Sequence, residues 1–281
     1  MASSHRTDKD LTLPQSSAVA SPPLSLKSRL EKGDTLYGIF IFSLSPTLAE
    51  IAGFAGYDFV VVDMEHGNGG ILEAAHCLHA LAATNTPAVI RIPECSATWA
   101  MKALDLGPQG IMFPHVEDAE SARKAVSYCH FPPKGVLGTA HMFVRSSRYG
   151  LDEGFLTNFE KDLLIMCQVE SEKGVKVIDE IARVDGVDCV QMGPRDLAAS
   201  MGYLREPTNK KVQEALHGAE KVVLRGGAAY LSGVASPHDP AEQLARRGYH
   251  MVLAGTDVGL FRSSAVADVK KFRMNLVDDD E

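Results

Sequence analysis

Phe59-Val60-Val61-Val62-Asp63-Met64-Glu65-His66 is an apolar run that ends abruptly in residues able to do chemistry. A strand buried on both faces of a parallel sheet reads as such an unbroken run, without the alternation of a half-exposed strand. Four more stretches repeat the pattern: 88–90 before Arg91, 110–113 before Pro114-His115, 163–167 before Gln168-Val169-Glu170, and 189–192 before Gly193-Pro194-Arg195-Asp196. In barrels of parallel strands the reacting groups stand at the C-terminal strand ends, where the following loops gather into one mouth. The polar endings therefore predict that carboxylates, an imidazole and a guanidinium far apart in sequence meet in space.

Working outward from these runs, strands are expected near residues 36–42, 58–63, 88–92, 110–114, 163–169, 189–192, 228–234 and 250–254. Apolar residues at helical spacing fill 46–56, 71–84, 97–106, 119–128, 173–183, 210–224 and 240–248, and 257–272 follows the last strand. Eight strand-then-helix units predict an α/β protein, a (β/α)8 TIM barrel. Gly56, Gly107, Gly186 and Gly248 each stand between a helix end and the next strand, where a left-handed C-cap belongs. The longest connection, residues 131–161, carries His141, Arg145 and Arg148 and exceeds what a simple turn needs, so it is expected to cover or border the mouth.

The chain's 281 residues suit one barrel, expected over residues 25–274. Residues 1–24, rich in Ser, Pro and Ala, read as a disordered tail rather than a cleaved targeting segment, and 275–281 as an acidic tail. Lys+Arg 28 against Asp+Glu 36 leaves a formal charge of −8, which argues against nucleic acid as a partner. No apolar stretch reaches the ~18 residues of a membrane span. The five scattered cysteines form no Cys-x-x-Cys pair and suit a reducing compartment, so a cytoplasmic location is expected, with an organelle as the alternative.

Glu170 and Asp196 end consecutive strands, about 5 Å apart across a sheet. Two such carboxylates can share a hard divalent cation, Mg2+ or Mn2+; an ion pair of Glu170 with Arg91 or Arg195 is the competing use. The Gly193-Pro194-Arg195-Asp196 turn opens a helix whose free N–H groups suit a carboxylate or phosphate, although Asp196 could serve only as an N-cap. Asp63, three residues before His66, could hold the imidazole in one tautomer, so that His66 or a water it orients moves protons near neutral pH; a surface histidine is the plainer alternative. Arg91, directed at the mouth, would stabilise an oxyanion or enolate on a bound keto acid. No lysine is well placed for a Schiff base, which favours metal over imine chemistry.

Taken in order, Gly38-Ile39-Phe40, Ala49-Glu50-Ile51-Ala52, Tyr57-Asp58, Asp63-x-Glu65-His66, Arg91-Ile92-Pro93, Leu104-Asp105-Leu106-Gly107, Gln168-Val169-Glu170, Asp185-Gly186-Val187-Asp188 and Gly193-Pro194-x-Asp196-Leu197 form a specific series. Over residues 36–272 the chain resembles the HpcH/HpaI family of metal-dependent class II 2-keto acid aldolases, which act through a pyruvate enolate. The resemblance implies Glu170 and Asp196 as metal ligands, His66 and Asp63 as base and orienting acid, and Arg91 as the enolate-stabilising cation. It implies Gln168 near the pyruvyl group and the backbone of Gly193, Pro194 and Arg195 around the substrate carboxylate. It further implies a carbon–carbon lyase acting on a 4-hydroxy-2-keto acid, with a last helix that packs on another subunit of a dimer-based hexamer. Oxaloacetate decarboxylation at the same site, or a silent keto-acid-binding barrel, are the alternatives. Three positions depart from the family's usual residues. Leu137 stands where an arginine is common, Phe40 where a tryptophan is, and Arg195 replaces a small residue, where it could clamp a second acid group or narrow the pocket.

Overall fold

The structure is a computed structural model that describes residues 24–278. The expected tail over residues 1–24 lies outside them apart from Leu24, as do the last three residues of the acidic segment. Eight strands, β1 (Leu36–Ile41), β2 (Phe59–Asp63), β3 (Ala88–Arg91), β4 (Gly110–Phe113), β5 (Leu164–Val169), β6 (Cys189–Met192), β7 (Tyr230–Val234) and β8 (Met251–Thr256), form a closed barrel. Each is parallel to the next, and β8 pairs with β1. Among the described residues the α-helices are α1 (Leu26–Glu31), α2 (Pro46–Phe54), α3 (Ile71–Ala83), α4 (Ala97–Asp105), α5 (Ala119–Tyr128), α6 (Phe155–Asp162), α7 (Glu172–Lys176), α8 (Ile178–Ala182), α9 (Pro194–Ser200), α10 (Lys210–Gly226), α11 (Ala241–Arg247) and α12 (Asp257–Asp278).

Side chains alternate across each strand, so one set fills the barrel and the other packs on the helices. Phe40, Phe59, Val61, Met112, Met166 and Leu253 belong to the inner cluster, which Leu26 and Leu30 of α1 close from the strands' N-terminal end. The inner wall needs Gly38 to be small, because a Cβ there would lie 2.6 Å from the Phe59 ring. Ile39, Val60, Val62, Ile90 and Ile111 face outward into the helix layer.

Helix α1 was not anticipated from periodicity, and polar ties hold it beneath the barrel. Its Leu26 N–H donates to Gln109 Oε1 (3.0 Å), Lys27 meets Asp188 at 2.7 Å, and Arg29 meets Asp58 at 2.8 Å. Both aspartates also cap strands, Asp58 accepting from Tyr37 N–H and Asp188 from Ile165 N–H. The four turn glycines, Gly56, Gly107, Gly186 and Gly248, have φ of +93, +74, +90 and +100°, as the C-cap reading requires.

Two expectations are corrected. The helix read over 173–183 is two helices that break at Val177; Gly174 sits so close to the Val116 carbonyl and Val169 that the first turns are pinned to the barrel. The long connection 131–161 does not cover the mouth within this chain. It follows α5 and precedes β5, so it belongs to the N-terminal face, where Arg145 donates to the Leu106 carbonyl and Ser146 packs on Gly107. It also leads into α6, whose Phe159 ring packs at a tilt against both Phe131 and Phe155. Leu137 is buried there and lines a cavity of about 10 Å3 with Asp105 and His141.

At the other end Asp257 opens α12 and reaches back across the barrel seam, accepting from Phe42 N–H (2.8 Å) and the Ser43 hydroxyl (2.5 Å). Helix α12 packs on β1 and β8 and leaves Phe261, Val266, Val269 and Phe272 exposed. Among the described residues no helix is long and apolar enough to cross a membrane.

Candidate active site

Strands β2 and β3 end at the same height, with Asp63 and Arg91 as register partners. Both face inward, Asp63 fully buried and Arg91 nearly so. The guanidinium grips the carboxylate as a fork, Nε to Oδ1 at 2.8 Å and Nη2 to Oδ2 at 2.5 Å. Its face rests on the Phe40 ring, 4.8 Å from the centroid, so the aromatic residue that departs from the family's tryptophan still supplies a cation–π partner. Burial opposes the charge on Arg91, but the Asp63 hydrogen bonds and the charges of Asp63, Glu65 and Glu170 outweigh it and raise the guanidinium above its ordinary value.

Gln168, on β5, links this pair to the next carboxylate. Its Oε1 accepts from Arg91 Nη1 (3.2 Å) and its Nε2 donates to Glu170 Oε2, an arrangement that fixes which way the amide points. Glu170 is buried, and its other oxygen accepts from the main-chain N–H of His115 at 2.9 Å. The His115 imidazole lies over it, Nδ1 3.1 Å from Glu170 Oε1 and Nε2 3.4 Å from Glu65 Oε1.

Glu65 completes the cluster. Its side chain is 8% exposed, and Arg91 Nη1 lies 3.0 Å from Oε2. That contact is not in line for a hydrogen bond, so Oε2 is buried with no donor. Burial pushes the Glu65 carboxyl above its ordinary range, with Arg91 opposing and Glu170 adding to the rise. Glu65, His115 and Glu170 each offer one atom to a group lying within 4.8 Å of one another. Three carboxylates, Asp63, Glu65 and Glu170, face the single guanidinium of Arg91, a formal excess of two negative charges in a water-poor mouth. This excess of carboxylate charge, with a buried Glu65 oxygen that accepts no hydrogen bond, fits a divalent cation.

The other expected residues stand around this centre. His66 is half-exposed at the rim; Asp63 accepts from its main-chain N–H at 3.5 Å, and its ring is nearest Glu65, Nε2 to Oε1 at 3.9 Å. Asp63 therefore spends its carboxylate on Arg91 and on the backbone of the following turn. Gly193 is buried against Glu170, where a Cβ would meet Oε2 at 2.7 Å. Pro194 starts α9, and Arg195 and Asp196 are exposed on its first turn. Asp196 is not in the group of three close donors. Sequence reasoning gave neither Glu65 nor His115 a role. Glu65 was within reach of it, since it follows the inward Asp63 by two residues, the pleat repeat. His115 was not, because its left-handed backbone (φ +51°) turns the ring against the alternation. Burial pushes the Cys77 thiol up to about 12 and Cys95 up to about 11, so neither is a nucleophile near neutral pH.

Residues 36–264 match the family described as HpcH/HpaI aldolase/citrate lyase. A hydroxypyruvate/pyruvate aldolase of Delftia acidovorans is 32% identical over 259 residues, covering 92% of this chain and 96% of that protein. A 2-keto-3-deoxy-L-rhamnonate aldolase of Escherichia coli is 34% identical over 235 residues, 84% of this chain and 88% of the other. Among solved structures, an HpcH/HpaI aldolase/citrate lyase family protein of Burkholderia cenocepacia has a TM-score of 0.83 at 31% identity and covers 88% of this chain and 98% of its own.

Proposed function

The chain belongs to the HpcH/HpaI aldolase/citrate lyase family, and from that premise we propose that it is a metal-dependent aldolase cleaving and forming the carbon–carbon bond of a 4-hydroxy-2-keto acid through a pyruvate enolate. The observation that carries this is the mouth's buried excess of carboxylates, with an oxygen of Glu65 left without a donor. Glu170 and Asp196 hold the cation in this reading. It is supported by the packing of Gly193 on Glu170, which sets the turn leading to Asp196 beside that carboxylate. Oxygen ligands suit Mg2+ or Mn2+. When bound, the ion supplies a Lewis acid for the keto acid's oxygens.

The chain's own groups do the rest. Arg91 has five N–H donors, of which Asp63 takes two and Gln168 one, leaving one on each terminal nitrogen for the oxygen on which negative charge develops. Because Asp63 and the Phe40 ring hold the guanidinium, its donors are aimed before substrate arrives. Gln168, spanning Arg91 and Glu170, borders the pyruvyl group. The turn of Gly193, Pro194 and Arg195 receives the substrate carboxylate, and the exposed Arg195 is free to meet a second acid group. His66, at the rim with half its surface in solvent, carries the proton of the aldol hydroxyl. The exposed apolar side chains of α12 support a homo-oligomer, a trimer of dimers or hexamer, and five unpaired thiols support a cytoplasmic location.

Purified protein should release pyruvate from a panel of 4-hydroxy-2-keto acids, lose that activity in EDTA, regain it with Mg2+ or Mn2+, and lack it in Glu170→Ala. Turnover that survives chelation overturns the metal assignment. Turnover of oxaloacetate with none of the hydroxy acids makes the protein a decarboxylase instead.

A further inference from the structure

With Glu170 and Asp196 as ligands, His115 remains without a task, yet its ring lies against both Glu170 and Glu65. We propose that His115 is a nitrogen ligand of the divalent cation, acting with Glu65 and Glu170; the proposal deepens the metal-dependent reading above and rests on it. Three observations carry it. First, the three donor atoms lie within 4.8 Å of one another, close enough to converge on a single cation. Second, the Glu65 side chain is more than nine-tenths buried and its Oε2, although 3.0 Å from Arg91 Nη1, accepts no hydrogen bond, while Oε1 faces the His115 ring. Third, His115 adopts a left-handed backbone (φ +51°) that non-glycine residues seldom take, and this conformation swings the imidazole over Glu170 while the same residue's N–H holds the carboxylate.

An imidazole also biases the site away from Mg2+ and toward transition metals, since nitrogen donors rank those ions above the alkaline earths.

The test uses the full chain loaded with Mn2+. Pulsed EPR reads nitrogen modulation from a directly bound imidazole, and titration of the free-ion signal gives the affinity. Wild type should show nitrogen coupling. His115→Gly, which leaves the left-handed backbone unstrained, should lose the coupling and bind Mn2+ at least about tenfold more weakly. His115→Asn, a residue that also tolerates this backbone, serves if the glycine variant does not fold. Absence of nitrogen coupling in wild type, or coupling that persists in the variant and so belongs to another histidine, overturns the proposal. Metal-dependent turnover without nitrogen coupling overturns His115 ligation and leaves the aldolase reading standing. Nitrogen-coupled Mn2+ with no turnover of any keto acid does the reverse, and failure to bind Mn2+ overturns both.

Discussion

Asp63 and Arg91 face each other across the ends of β2 and β3 as a two-pronged ion pair, 2.8 and 2.5 Å, with no part of Asp63 open to solvent. Removing one member of such a pair strands the other charge, which costs far more than the pair itself contributes. Asp63→Asn should therefore lower stability by about 3 kcal/mol in urea denaturation. Arg91→Lys cannot form the fork, and its turnover should fall about a hundredfold. Two variants with wild-type stability and rate would show that the fork neither holds the mouth nor aims the guanidinium.

Gly193 touches Glu170 so closely that a single methyl group must move the carboxylate. Gly193→Ala should weaken Mn2+ binding about tenfold, while overpacking costs about 1 to 3 kcal/mol of stability. Calorimetric Mn2+ titration beside thermal melting separates the two effects. Unchanged affinity would mean that Glu170 has room to yield.

Leu30 contributes to the inner cluster from α1 and is almost completely buried. Leu30→Ala should cost about 2 to 5 kcal/mol. Its turnover per folded molecule should stay at the wild-type value, because the site lies at the opposite end. A change in kcat at saturating metal would show that the floor communicates with the mouth.

His250 accepts the Leu231 N–H at Nδ1 (3.0 Å), and burial holds its pKa below the ordinary value. A histidine depressed in the folded state takes its proton first in the unfolded chain. Its contribution to stability is thus complete above a pH of about 6.5 and is lost as pH falls below it. Denaturation midpoints from about pH 7.5 down to about pH 5 should decline less in His250→Asn, which can still accept the N–H. Equal slopes would place the acid sensitivity elsewhere.

The barrel itself was legible because most of its eight strands are apolar runs buried on both sides, which need no tertiary information to be recognised. Their ends also marked Asp63, Arg91, Gln168 and Glu170 as inward neighbours. What escaped was local or depended on direction. Helix α1, at six residues, is too short for periodicity to register, and its role as a floor rests on contacts with Asp58 and Asp188. The connection 131–161 was read by its length and charge, although its place between a helix and a strand assigns it to the far face. The partnership of Asp63 with Arg91 required counting across the sheet rather than along the chain to His66. His115 was hidden by one dihedral angle, which no pattern of residue types reports.

Because α1 seals the barrel beneath a filled interior, the molecule is a cup and not a tube. Everything that enters must leave by the same opening. For an aldolase this imposes a sequence on departure: the fragment nearer the rim goes first, and the deeper fragment, seated in the proposed reading against Arg91 and Glu170, waits behind it. Pyruvate, as the last to go, should then compete with the incoming keto acid, whereas the aldehyde should not, and product-inhibition patterns would record the depth of the floor as kinetics.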